Sequence, residues 1–126
     1  MPITIDGSGA ISGSRLAVAN GVIGNVTTLT YASTLNLDMS AGNNYAVTLT
    51  GNATLANPTN LVAGQSGVIK LTQDGTGSRT LAYGSYWDFP AGAAPTLTTT
   101  ANAVDILVYY VDSTTNITAR LIGDRK

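Results

Sequence analysis

Histidine, cysteine and glutamate are absent from this chain of 126 residues, and only 10% of its residues are charged. Without histidine the commonest general base is missing. Without cysteine there is no thiolate nucleophile, no Cys/His zinc site and no disulfide framework, and the sequence is silent on redox compartment. Six Lys and Arg against seven Asp leave a net charge of -1, and Arg120, Arg125 and Lys126 all lie near one end. No basic stripe for nucleic acid can be built from that set. No stretch approaches the roughly 18 consecutive apolar residues of a membrane helix. The opening MPITIDGSGA lacks a basic n-region and an apolar h-region. The expectation is a protein that neither spans a membrane nor is exported through an ordinary signal peptide.

Gly, Ala, Ser, Thr and Asn fill 68 of the 126 positions, beside 44% apolar residues. Length and composition allow one domain with a modest core. Residues 1–30 read as an extended arm: Pro2-Ile3-Thr4-Ile5 alternates, glycines and serines follow, and Gly21 and Gly24 interrupt any helix. From Tyr31 onward the dominant period is two. Leu35, Leu37 and Met39 fall on one face of a strand, and Tyr45, Val47 and Leu49 on one face of the next. Gly51-Asn52 makes either a hairpin turn or a kink in one longer strand. Asp74-Gly75-Thr76-Gly77-Ser78 reads as a hairpin loop between residues 68–73 and 79–83. Residues 96–100 suggest an edge strand, DILVYYV at 105–111 is apolar on both faces like a central strand, and NITARLI at 116–122 returns from it. Thr-Leu-Thr recurs at 28–30, 48–50 and 96–98, and the irregular separations suggest shared strand chemistry rather than a solenoid. The expected architecture is all-β: a single β-sandwich or jelly-roll-like domain over residues 31–126, preceded by the arm.

The candidate chemistry is sparse. The seven aspartates are scattered, so spacing nominates no acid pair of the kind glycosidases use. No D-x-D loop suggests calcium. Gly75-Thr76-Gly77 lacks the later glycine and the lysine of a phosphate loop. No catalytic residue, cofactor or metal is expected. Tyr83, Tyr86, Trp87 and Phe89 are half of the eight aromatic residues. They serve either as core and interface filling or, at Tyr86 and Trp87 beside Asp88, as a surface for sugars.

Residues 52–122, above all GQSGVIKLTQDGTGSRTLAYGSYW and DILVYYV, resemble a β-rich block of virion proteins of tailed bacteriophages, and MPITIDGSGAISG resembles the opening of many of them. The resemblance implies a non-enzymatic virion structural protein, made in the cytoplasm of the bacterial host. It brings no catalytic or cofactor residues. The leading expectation is a capsid decoration or cement protein. It would assemble as a homo-oligomer, a trimer, on the major capsid protein or other virion proteins, with Ile3, Ile5 and Ile11 of the arm pairing onto a neighbour's sheet edge. The alternative is a short tail-fibre, collar or receptor-binding component that contacts host surface polysaccharide, with Tyr86 and Trp87 exposed.

Overall fold

Alternating threonine and aliphatic residues favour extended backbone, with every second side chain turned inward. The computed structural model describes residue 21 and residues 23–126. Among them lie β1 (Val26–Thr28), β2 (Thr34–Leu35), β3 (Asn44–Leu49), β4 (Ala53–Leu55), β5 (Ser66–Gln73), β6 (Leu81–Tyr83), β7 (Trp87–Asp88), β8 (Val104–Ser113) and β9 (Asn116–Ile122). One sheet has the order β1-β3-β5-β8-β9-β7, and the other has the order β2-β4-β6.

From β1 to β6 the chain alternates between the sheets, so β1–β2, β3–β4 and β5–β6 are successive turns of a flattened coil. Equivalent strands pair in parallel, with Val47 beside Leu71 in the larger sheet and Leu35 beside Leu55 in the smaller. An antiparallel hairpin closes the larger sheet, β8 pairing with β5 and β9 with β8, and β7 runs parallel to β9 at the far edge. The all-β, two-sheet body is therefore present. The jelly-roll connectivity is not, because a jelly roll is built from antiparallel Greek keys and the coil strands here pair in parallel.

Several local expectations change for the same reason. Gly51-Asn52 is a corner between the two sheets, neither a hairpin turn nor a kink in one longer strand. The loop from Asp74 to Ser78 also carries the chain across to the other sheet. Asp74 holds that loop by accepting from the amides of Thr76 and Gly77 and pairing with Arg79 at 2.7 Å. Residues 96–100 form no strand. Instead Leu97 is buried, and the amide of Thr98 donates to the Asp105 carboxylate at 2.7 Å. The Thr-Leu-Thr copies themselves are not in register, since Thr28 pairs with Ala46 and residues 96–98 lie in no strand; the matching element of the coil is Thr34-Leu35, which pairs with Thr54-Leu55. β1 falls inside the stretch assigned to the arm, yet it is the edge strand of the larger sheet. The rest of that stretch up to Asn20, with Ile3, Ile5 and Ile11, lies outside the described residues.

Rows of inward side chains fill the space between the sheets. Tyr45, Ile69 and Leu107 stand side by side across three strands, and all are buried. Leu49 and Leu55 are fully buried on either side of the Gly51 corner. Each such aliphatic side chain contributes about 1.5–3 kcal/mol by its burial. Two polar groups share this interior. The Gln73 amide exchanges hydrogen bonds with the backbone N–H and C=O of Arg79, and Asp105 also accepts from the amide of Asp124. Both are satisfied, as burial of polar groups requires.

Gly67 shows how closely neighbouring strands of the larger sheet meet. It lies opposite Tyr109, whose hydroxyl donates to the Asn43 carbonyl, and a Cβ at Gly67 would collide with that same carbonyl oxygen. A Cβ at Gly75 meets nothing within 4 Å. Gly67→Ala is therefore expected to destabilise by about 1–3 kcal/mol, and Gly75→Ala to be nearly neutral, as read by chemical denaturation of the two variants beside the parent.

Candidate functional site

The aromatic cluster is taken up by the fold. Trp87 is 5% exposed, its indole N–H donates to the Ala56 carbonyl at 3.1 Å, and its ring stands edge-on to Tyr109 at 6.4 Å. Tyr83 and Phe89 pack edge to face at 4.6 Å. Tyr86 is half-buried, and its amide donates to the Asn57 side chain. The exposed Tyr86–Trp87 surface expected for sugar stacking is thus not formed by Trp87, whose ring closes the space between the smaller sheet and the hairpin. The Tyr83 hydroxyl is buried with no hydrogen-bond partner among the described residues, and burial, with Asp105 nearby, pushes its pKa up to about 12.

Each described aspartate has a structural partner. Asp74 binds Arg79, Asp88 accepts from Asn116, Asp112 accepts from Thr118, and Asp124 pairs with Lys126. Asp105 anchors the chain at Thr98 and Asp124. Among the described residues no three His, Cys, Asp or Glu side chains come together as a metal-binding group.

A groove of about 830 Å³ lies at one end of the coil, lined by Met39, Ser40, Leu61, Val62 and Gln65 among others. Its walls are the short 3-10 turn Met39–Ala41 and the loop through residues 60–65. Asp38 caps that turn, accepting from the Ser40 amide at 3.0 Å, the Ser40 hydroxyl at 2.7 Å and the Asn60 amide group at 2.8 Å. These bonds, that of Asn60 foremost, hold its carboxyl below the usual carboxylate range. Asn60 has a φ of 58°, a left-handed conformation that asparagine tolerates better than most residues. The Gln65 amide spans the wall, donating to the carbonyls of Met39 and Gly42 and to the Asn43 side chain. Tyr45 reaches up from the core, and its single hydroxyl hydrogen is shared between the carbonyls of Asp38 and Gly42, each at 2.8 Å. The buried Met39 and Leu61 supply an apolar floor, and exposed Val62 stands on the rim.

This arrangement suits binding: fixed amides and a hydroxyl beside an apolar floor, with the one carboxylate already engaged. The turn residues around it are visible in the sequence, at Asn57-Pro58-Thr59-Asn60 and Ala63-Gly64-Gln65-Ser66-Gly67. Their convergence with Asp38 needs the parallel bridge between Asp38 and Thr59, which no local pattern announces. A second surface is the outer face of the larger sheet. There Val108 (40% exposed) and Tyr110 (49%) line a shallow depression of about 360 Å³ with Thr118 and Arg120, and Ile122 (54%) is exposed further along β9.

The chain matches the family model described as "Putative phage tail fibre C-terminal domain" over residues 27–116. That span runs from β1 through β8 to the first residue of β9. No curated protein and no solved structure matches the chain.

Two outcomes follow from the geometry. Tyr83→Phe removes an unpaired buried hydroxyl without changing shape, so it should leave stability unchanged or raise it by up to about 1 kcal/mol, measured by denaturant unfolding. Asp38→Ala removes a carboxylate whose folded pKa is depressed. Its destabilisation relative to the parent should be full above the ordinary carboxylate value of 3.8 and fade as pH falls through the lower folded value, as followed by melting temperature against pH.

Proposed function

The chain belongs to the phage tail fibre C-terminal domain family, and we propose that it serves as a non-enzymatic, receptor-contacting module of a tail fibre that binds host surface polysaccharide through the groove at Met39 and Gln65. The observation that carries this reading is the family match, which takes in the coil and the central strand of its closing hairpin. The groove supports it. Sugar rings present hydroxyls and apolar C–H faces together, and Ser40, Asn60 and Gln65 stand beside Met39, Leu61 and Val62 there. Specific recognition of this kind needs a few fixed polar groups on a largely apolar surface.

The match favours the tail-fibre alternative over capsid decoration. Assembly with further copies of the chain, as a trimer, belongs to the same proposal. The exposed Val108, Tyr110 and Ile122 are the surface it would use, since β8 is apolar on both faces and among the described residues its outer Val108 and Tyr110 stay exposed. The protein would be made in the host cytoplasm and carried in the virion.

The experiment is immunogold electron microscopy of purified virions with antibodies to the full chain, beside densitometry of its copy number. Label confined to tail fibres, at a few tens of copies per particle, is the expected result. Label over the head, at a copy number near that of the major capsid protein, would overturn the tail assignment. Gln65→Ala should weaken retention of the purified chain on host polysaccharide about tenfold, the equivalent of roughly 1.4 kcal/mol.

A further inference from the structure

The polar side chains of the groove at Met39 and Gln65 have a hydrogen-bonding sense, set by the partners behind them. A side-chain amide can turn its oxygen or its nitrogen outward, and its fixed neighbours decide which. The Gln65 Nε2 donates to the carbonyls of Met39 and Gly42, at 2.8 and 3.1 Å, and to the Asn43 Oδ1 at 2.9 Å. Backbone carbonyls only accept, so the reverse orientation is closed to it. Its Oε1 accepts no bond among the described residues, yet the Tyr83 hydroxyl is the one buried, unpartnered side-chain polar atom among them. The Gln65 Oε1 is therefore reached by solvent, as an acceptor.

Ser40 and Asn60 are oriented in the same way by Asp38. The Ser40 hydroxyl gives its single hydrogen to the Asp38 Oδ1 at 2.7 Å, and the Asn60 Nδ2 donates to that oxygen at 2.8 Å. Both line the groove, so Ser40 keeps only lone pairs for a ligand, and Asn60 keeps its Oδ1 and one N–H. A group that donates to a carboxylate becomes a stronger acceptor in turn, because hydrogen bonds in a chain polarise one another. The Asp38 carboxyl titrates below the usual range and so stands ionised behind these two. The ion pairs among the described residues, Asp74 with Arg79 and Asp124 with Lys126, leave it out, and no Lys or Arg is among the residues lining the groove. On the exposed rim the amides of Val62 and Ala63 have no partner among the described residues.

We propose that the groove selects uncharged, hydroxyl-bearing sugar units and rejects acidic ones, a selectivity that rests on the reading of this groove as the polysaccharide site. A sugar hydroxyl donates and accepts at once, which matches the oxygens of Ser40, Asn60 and Gln65 beside the few N–H groups of Asn60 and the rim. A carboxylate or phosphate only accepts, and it meets the charge of Asp38. An ammonium group only donates, and it is costly to bring against the apolar floor of Met39 and Leu61. The C–H face of an uncharged ring suits that floor.

Asp38 can be tested by charge alone. The bonds from the Ser40 amide, the Ser40 hydroxyl and Asn60 all end on Oδ1, so Asp38→Asn can keep each of them while removing the charge. The experiment measures binding of the labelled full chain to immobilised bacterial polysaccharides in two sets. One set is built of uncharged hexose and N-acetylhexosamine units, and the other carries uronate, sialate or phosphate groups. The parent chain should bind members of the uncharged set, and acidic members about tenfold more weakly or worse, because an acceptor facing an acceptor leaves both unpaired. Asp38→Asn should narrow that gap about threefold, as expected for one like charge acting through solvent. Raising the salt, which screens the charge without altering the chain, should narrow it as well. Preference for the acidic set, lost in Gln65→Ala, would overturn the selectivity and leave the groove as the site. Equal binding to both sets, or a gap that neither Asp38→Asn nor salt changes, would also overturn it. Binding to neither set, or binding that Gln65→Ala leaves unchanged, would overturn the reading of the groove itself.

Discussion

The parallel ladder between successive coil turns is the interaction on which the rest of this structure depends. No single turn can bury its own apolar face. Leu35 is covered because Leu55 lies beside it in the next turn, and Tyr45 because Ile69 and then Leu107 continue its row. Main-chain hydrogen bonds set the register, and the register keeps every inward side chain inward, since a slip of one residue would turn them all to solvent. The closing hairpin extends the same ladder from β5, with its direction reversed.

That register also builds the groove. The bridge between Asp38 and Thr59 brings two loops from different turns side by side, and Asp38, Asn60, Gln65 and Tyr45 then lock them with side-chain hydrogen bonds. The Tyr109 hydroxyl ties the hairpin to the Asn43 carbonyl at the same end, and Gly67 leaves the room for it. Core, hairpin and groove therefore share partners, so a change at Gly67 or Asn43 is felt in all three. A rim held this way is pre-organised, which lowers the ordering cost of binding.

The six described aspartates are each committed to a loop, a cap or an ion pair, and of the clustered aromatic rings Trp87 is in the core while Tyr83, Tyr86 and Phe89 pack against it. Membership of a tail-fibre family agrees with a domain whose working parts are surfaces and edges.

Much of the strand content was legible from period two alone. The burial of Leu35, Leu37, Met39, Tyr45, Val47 and Leu49 is as their alternation predicts, and the β8–β9 hairpin lies where DILVYYV and NITARLI place it. Composition alone removed histidine, thiol and zinc chemistry. Strand direction was not legible, because alternation states which side chains face inward but not whether a corner returns the chain beside itself or passes it to another sheet. Gly51-Asn52 and the loop from Asp74 to Ser78 have the turn chemistry for either. The recurrence of Thr-Leu at 34–35 and 54–55 was the available signal for a coil, and pairings 18, 20, 24 and 28 residues apart obscured it. The fate of Trp87 and the convergence of Asp38 with Asn60 and Gln65 rest on long-range parallel pairing. Only the tertiary structure decided these, because residues some 20 or 30 positions apart become neighbours through ladder register rather than through any local preference.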